Sequence, residues 1–126
     1  TIDVRDVDGA RRDATVATIR ESMEKVALRR GVRIEVASVS DDPPATMDLG
    51  LIDVLDAAAK DAGIATHRLP SRAYHDSLFM PRTCPTAMLF VPCRDGVSHR
   101  PDEFATERDM AAGVRVLAHA LARLAG

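Results

Sequence analysis

The chain has 126 residues, 17 lysines and arginines against 19 aspartates and glutamates, and a formal net charge of -2. Hydrophobic residues make up 46% of it but aromatic ones only 3%, so it offers neither a basic stripe for a phosphate backbone nor stacking platforms for bases, and no nucleic-acid partner is expected. No apolar run approaches the ~20 residues of a bilayer span, which removes a membrane partner; the proportions suit one soluble globular unit with enough core to stand without staples.

Residues 1–5 alternate, with Ile2 and Val4 on one side and Asp3 and Arg5 on the other, the period of a half-buried strand. This strand-like opening, without a methionine, points to a piece of something longer; no basic-then-apolar secretory signal is visible, although a signal already removed would leave the same blank. Asp8 is placed to cap a helix that runs to about Arg30, with an apolar stripe of Val16, Ile19, Met23 and Val26 and with Gly31 as its terminator. Val32, Ile34 and Val36 alternate again, so the first 39 residues read strand–helix–strand.

Asp41-Asp42-Pro43-Pro44 interrupts the pattern, because paired prolines neither continue a helix nor join a central ladder. It divides an expected unit 1–40 from an expected unit 45–126. Asp48 caps a second helix carrying Leu51, Ile52, Leu55, Ala58 and Ala59 and closed by Gly63, and residues 64–69 suggest a short strand. Residues 70–84 lack clear periodicity, although Asp76 to Met80 could form a helical turn. Residues 87–91 are apolar throughout, as expected of a strand covered on both faces. Thr106 with Asp109 resembles a capping box, and Met110, Val114, Leu117, Leu121 and Leu124 form the stripe of a last helix. Helices and strands alternate, which makes the class α/β. Cys84 and Cys93 flank the apolar strand and would lie ~25–30 Å apart at ~3.3 Å per residue, too far for a disulfide. Reduced cysteines fit a cytoplasmic protein.

Of four histidines, His119 lies off the last helix's stripe and His67 sits in a short strand beside Arg68; both read as surface or structural residues. His75 and His99 stand in polar loops next to strand ends, where ligand and catalytic groups of α/β sheets collect. His75-Asp76 could be an acid/base or carbonyl-polarising pair or a helix start. His99 could ligate a metal through one ring nitrogen, with Glu103 four residues on as a supporting carboxylate.

Three ordered stretches, Ser71-Arg72-Ala73-Tyr74-His75-Asp76, Pro85 to Pro92, and Gly96 to Glu103, resemble the C-terminal signature of the M20-type amidase/hydantoinase/carbamoylase family. Ile2-Asp3-Val4-Arg5, the helix after it and the Asp42-Pro43-Pro44 junction extend the resemblance over nearly the whole chain. It implies a zinc-peptidase-like α/β catalytic domain interrupted by a two-layer, ferredoxin-like lid and dimerisation domain. Residues 1–40 would be the second half of that lid, and residues 45–126 the final part of the catalytic domain. The remaining ligands, a bridging carboxylate and a catalytic glutamate would come from an earlier segment, so the chain looks like a C-terminal fragment.

By the same resemblance the activity is hydrolysis of a linear amide or ureido C–N bond of an N-carbamoyl amino acid or allantoate-like molecule. The cofactors are two divalent metal ions, zinc, manganese or nickel. His99 matches the last metal ligand, Glu103 the acidic residue behind it, and His75, followed by Asp76, a histidine near the substrate. Arg5 matches a lid arginine that binds the substrate's carboxylate, and the enzyme would be a homodimer through its lid. One matched ligand cannot build a two-metal site, so the chain alone is expected to be inactive. The family has glycine where this sequence has Arg72 and Tyr74, which reshapes the pocket. Two other readings remain: an aminoacylase or dipeptidase of the same fold, and a non-catalytic α/β module whose edge strand at 1–7 needs a partner.

Overall fold

The computed structural model describes residues 1–126 and contains three α-helices: α1 (Gly9–Arg30), α2 (Leu49–Asp61) and α3 (Glu107–Ala125). Each begins at the cap its sequence announces. The Asp8 carboxylate accepts the Arg11 N–H at 3.1 Å, the Asp48 carboxylate accepts the Leu51 N–H at 2.8 Å, and the Thr106 hydroxyl oxygen accepts the Asp109 N–H at 3.1 Å. Helix α1 stops at Gly31, whose φ of 63° is left-handed, and Val32 N–H then returns to the Ala27 carbonyl. Short 3₁₀ turns occupy Asp76–Leu78, Met80–Arg82 and Arg94–Gly96. No helix is long and apolar enough to cross a membrane.

The chain divides into two compact units, Thr1–Ala45 with Pro70–Leu78, and Thr46–Leu69 with Phe79–Gly126. The first holds α1, on which Val16, Ile19 and Met23 are half-buried, Val26 is exposed and no residue is fully buried. The second holds α2 and α3 packed together. Its core is Ala58, Ala59, Val116 and Ala120, flanked by Val54, Leu55 and Ile64.

Two expectations change here. The stripe expected to pack α3, Met110, Val114, Leu117, Leu121 and Leu124, is exposed, and the buried contacts come from Val116 and Ala120 instead. Helix α3 thus has two apolar seams, and α2 takes the small-residue one because alanines let helix axes approach closely. Gly113 continues that seam: a Cβ there would lie 2.5 Å from Val91 Cγ1. Gly113→Ala is therefore expected to destabilise the second unit by about 1–2 kcal/mol in denaturant melts, overpacking outweighing the gain in helix propensity.

The second change concerns the strands expected at 1–5, 32–36, 64–69 and 87–91. None forms, because no ladder of backbone hydrogen bonds joins them within this chain. Leu89, Phe90 and Val91, expected to be covered on both faces, are exposed. The accessible surface is 9910 Å², against about 6,600 Å² for a compact monomer of this mass. The chain therefore leaves apolar faces uncovered, and its core is smaller than composition suggests.

Ion pairs supplement that small core. Arg68 bonds Asp53 and Asp56, whose carboxyl is held below the ordinary 3.8 by Arg68 first and Thr66 second. Arg123 of α3 bonds Asp61 at the end of α2 and lowers its carboxyl likewise. A depressed folded-state pKa contributes stability above the unfolded value and loses it as pH falls through the folded one. The melting temperature should therefore stay level from pH 7 to 5 and fall only below about pH 4. The fall below about pH 4 should be lost in Asp56→Asn and Asp61→Asn if these pairs cause it, and its persistence would contradict them.

Candidate functional site

In the first unit, residues 67 positions apart in sequence meet. Arg5 Nη1 donates to the Arg72 carbonyl at 2.8 Å, three residues before His75. The same guanidinium donates from Nε to both Asp3 oxygens at 3.0 Å and from Nη2 to Asp3 Oδ2 at 2.5 Å. Asp3 and Arg5 share one side of residues 1–5 because alternate side chains of an extended segment point the same way. The hydrogen bond from Arg5 holds the Asp3 carboxyl below its ordinary value, and Asp3 raises Arg5 in return.

The loop carrying His75 is tied at a second point. Tyr74 Oη donates to Asp42 Oδ2 at 2.7 Å, and that oxygen also accepts from Ser40 Oγ at 3.0 Å. Arg12 of α1 holds the same segment through the Asp42 carbonyl and through Asp41 Oδ1. Within the loop, Ser71 Oγ lies 2.8 Å from His75 Nε2 and accepts the Ala73 N–H at 3.3 Å. Asp76 opens the 3₁₀ turn that follows, and Leu78 N–H closes it on the His75 carbonyl. Arg5 and the His75 loop, both picked out from the sequence, thus belong to one hydrogen-bonded assembly.

His99 and Glu103 belong to the second unit. His99 adopts a left-handed φ of 58°, uncommon for a residue with a Cβ, and its backbone N–H donates to Glu103 Oε2 at 2.7 Å. Glu103 therefore supports His99 through the main chain, where the sequence reading expected it beside the imidazole. Around them Arg94 stacks on Phe104, Arg100 pairs with Asp102, and Cys93 Sγ contacts the Val97 carbonyl. Asp95, at φ 57°, is a second left-handed residue in this loop. Such backbone strain is often stored where a side chain must be aimed.

No three histidine, cysteine, aspartate or glutamate side chains gather in this chain as a metal site. The residues present do not by themselves fit a metal ion. His67 and His119 are exposed, and both cysteines are free. A hollow of about 570 Å³ in the second unit, lined by Thr46–Gly50, Pro81 and Cys84–Thr86, contains none of the candidate site residues Arg5, His75, Asp76, His99 and Glu103. Asp3, Asp42 and Ser71 were not foreseen as contacts. The Asp-x-Arg spacing and the Ser-to-His interval of four were the available signals.

A family model for peptidase family M20/M25/M40 matches residues 4–123. The chain belongs to that family. An M20 relative, the ureidoglycolate hydrolase of Oryza sativa subsp. japonica, is 45% identical over 98% of this chain and 26% of its own length. The N-carbamoyl-L-amino acid amidohydrolase of Geobacillus stearothermophilus is 34% identical over 98% of this chain and 30% of its own. Among solved structures, the crystal structure of AtUAH in complex with glyoxylate matches with a TM-score of 0.86 at 44% identity, over 95% of this chain and 29% of that one. The chain thus spans about a quarter to a third of the M20 relatives it matches.

Proposed function

We propose that this chain is part of a metal-dependent amidohydrolase that cleaves a linear amide or ureido C–N bond in a small carboxylate-bearing molecule. The observation that carries the reading is the bond from Arg5 to Arg72, which places a guanidinium on the loop that bears His75. A guanidinium suits a planar carboxylate because it can donate two parallel hydrogen bonds. The imidazole of His75, three residues further along that loop, can donate to the oxyanion that develops when the C–N bond is attacked. The AtUAH structures hold glyoxylate and (S)-hydroxyglycine, both carrying a carboxylate, and the relatives' names favour ureido acids such as ureidoglycolate.

In this reading residues 1–40 form half of a lid through which the enzyme dimerises, and residues 45–126 complete an α/β catalytic domain. Polypeptide beyond these residues covers the exposed seam of α3 and pairs the four segments expected as strands. Zinc, manganese or nickel would need donors beyond this chain, with His99 as its one contribution. The protein would be cytoplasmic.

The test is hydrolysis by the natural gene product that carries this chain, read as ammonia release from ureidoglycolate, allantoate and N-carbamoyl amino acids and as release of the free amino acid from N-acetyl amino acids. Turnover of a ureido acid supports the proposal. Turnover of N-acetyl substrates alone would assign an aminoacylase instead, and none at all would leave an interaction module. Dialysis against a chelator should abolish the activity, and added divalent metal should restore it. The 126 residues by themselves should hydrolyse none of these substrates, since one imidazole cannot hold two ions.

A further inference from the structure

Arg5 stands 48% exposed at its side chain, on a segment near the chain's start, so an unrestrained guanidinium there would sample many rotamers and present no fixed pair of donors. It is not unrestrained. Of its five N–H groups, Nε and one on Nη2 go to Asp3, and one on Nη1 goes to the Arg72 carbonyl. One N–H therefore remains on each terminal nitrogen, and two is the number a carboxylate takes in a bidentate pair.

Resting on the proposed function, we infer that Asp3 is the positioning residue of the carboxylate anchor. Together with the Arg72 carbonyl it fixes the guanidinium plane so that those two N–H groups are presented to the substrate's anionic end. Asp3 takes Nε and one N–H of Nη2, one edge of the guanidinium and not the whole of it. The opposite role, in which Asp3 competes with the substrate for Arg5, would show as a lowered KM when Asp3 is removed. Asp3 is 61% exposed, and an exposed ion pair of this kind adds little to fold stability, so its geometry is available for orientation. The hydrogen bond from Arg5 lowers the Asp3 carboxyl below its ordinary value.

The test compares wild-type gene product with Asp3→Asn, Asp3→Glu, Arg5→Ala and the Asp3→Asn/Arg5→Ala double variant, on ureidoglycolate and on its neutral carboxamide analogue. Asp3→Asn should raise KM for ureidoglycolate about tenfold, a loss near 1.4 kcal/mol, with kcat within about twofold. KM for the neutral analogue should not move, Asp3→Glu should recover part of the loss, and the double variant should be no worse than Arg5→Ala alone. A purely structural role would instead lower the melting temperature and weaken both substrates. An unchanged or lowered KM for ureidoglycolate in Asp3→Asn, with Arg5→Ala still raising it, would overturn the inference and leave the anchor standing. An unchanged KM in Arg5→Ala would overturn the anchor itself, and the inference with it. Should Asp3→Asn fold poorly, Asp3→Ser also removes the carboxylate and is read the same way.

Discussion

Arg5→Ala in the natural gene product is expected to raise KM for a ureido acid about a hundredfold while changing kcat less than about threefold. Two charge-assisted hydrogen bonds to a substrate carboxylate contribute about 1.5–3 kcal/mol each before the alternatives in water are counted. A net loss near 3 kcal/mol corresponds to about two orders of magnitude in affinity. The carboxylate keeps its charge unchanged as the C–N bond breaks, so the interaction is much the same in ground and transition states and its loss falls on KM. Arg5→Lys keeps the charge but not the planar fork, and should recover no more than about a tenth of the lost affinity. Asp3 and Arg5 are both well exposed, so the melting temperature should hardly move. Unaltered KM values, or an equal weakening for a neutral analogue, would remove Arg5 from the substrate site.

What the sequence made legible was local. Asp8, Asp48 and Thr106 announced the helix starts, because a cap is a property of four consecutive residues. Gly31 announced the end of α1 for the same reason. Strands are a property of pairs, and alternation at residues 1–5 and 32–36 says only which side chains share a face. The alternation names no partner, and within this chain no ladder forms. Helix α3 misled differently. Its large apolar stripe dominates the periodicity, yet the contact made in this chain uses Gly113, Val116 and Ala120, where small size decides the approach. The candidate site was legible as residue types at Arg5, His75 and His99. The bonds linking Arg5 to Arg72 and Tyr74 to Asp42 span 67 and 32 positions, and no spacing rule reaches that far.

His75→Ala should carry the other large effect, lowering kcat on ureido acids by about 10²–10³ with little change in KM. Removal of one preorganised donor to a developing oxyanion typically costs that much, because the bond strengthens only as charge builds in the transition state. The ring is held for this purpose. Ser71 Oγ lies 2.8 Å from His75 Nε2 and also accepts the Ala73 N–H, and the tautomer of the ring sets which of the pair donates. Ser71→Ala should then cost less than the loss of the ring, about tenfold in kcat, because the imidazole stays but its tautomer and angle are no longer fixed. Ser71→Thr, which keeps the hydroxyl, should restore most of the rate. Tyr74→Phe provides the internal comparison, since it cuts the bond to Asp42 without touching the ring. Nitrogen-15 spectra of the histidines would report the tautomer directly. A kcat preserved in His75→Ala, or a deficit that lies entirely in KM, would show that the imidazole holds the ground state and leaves the chemical step to other groups.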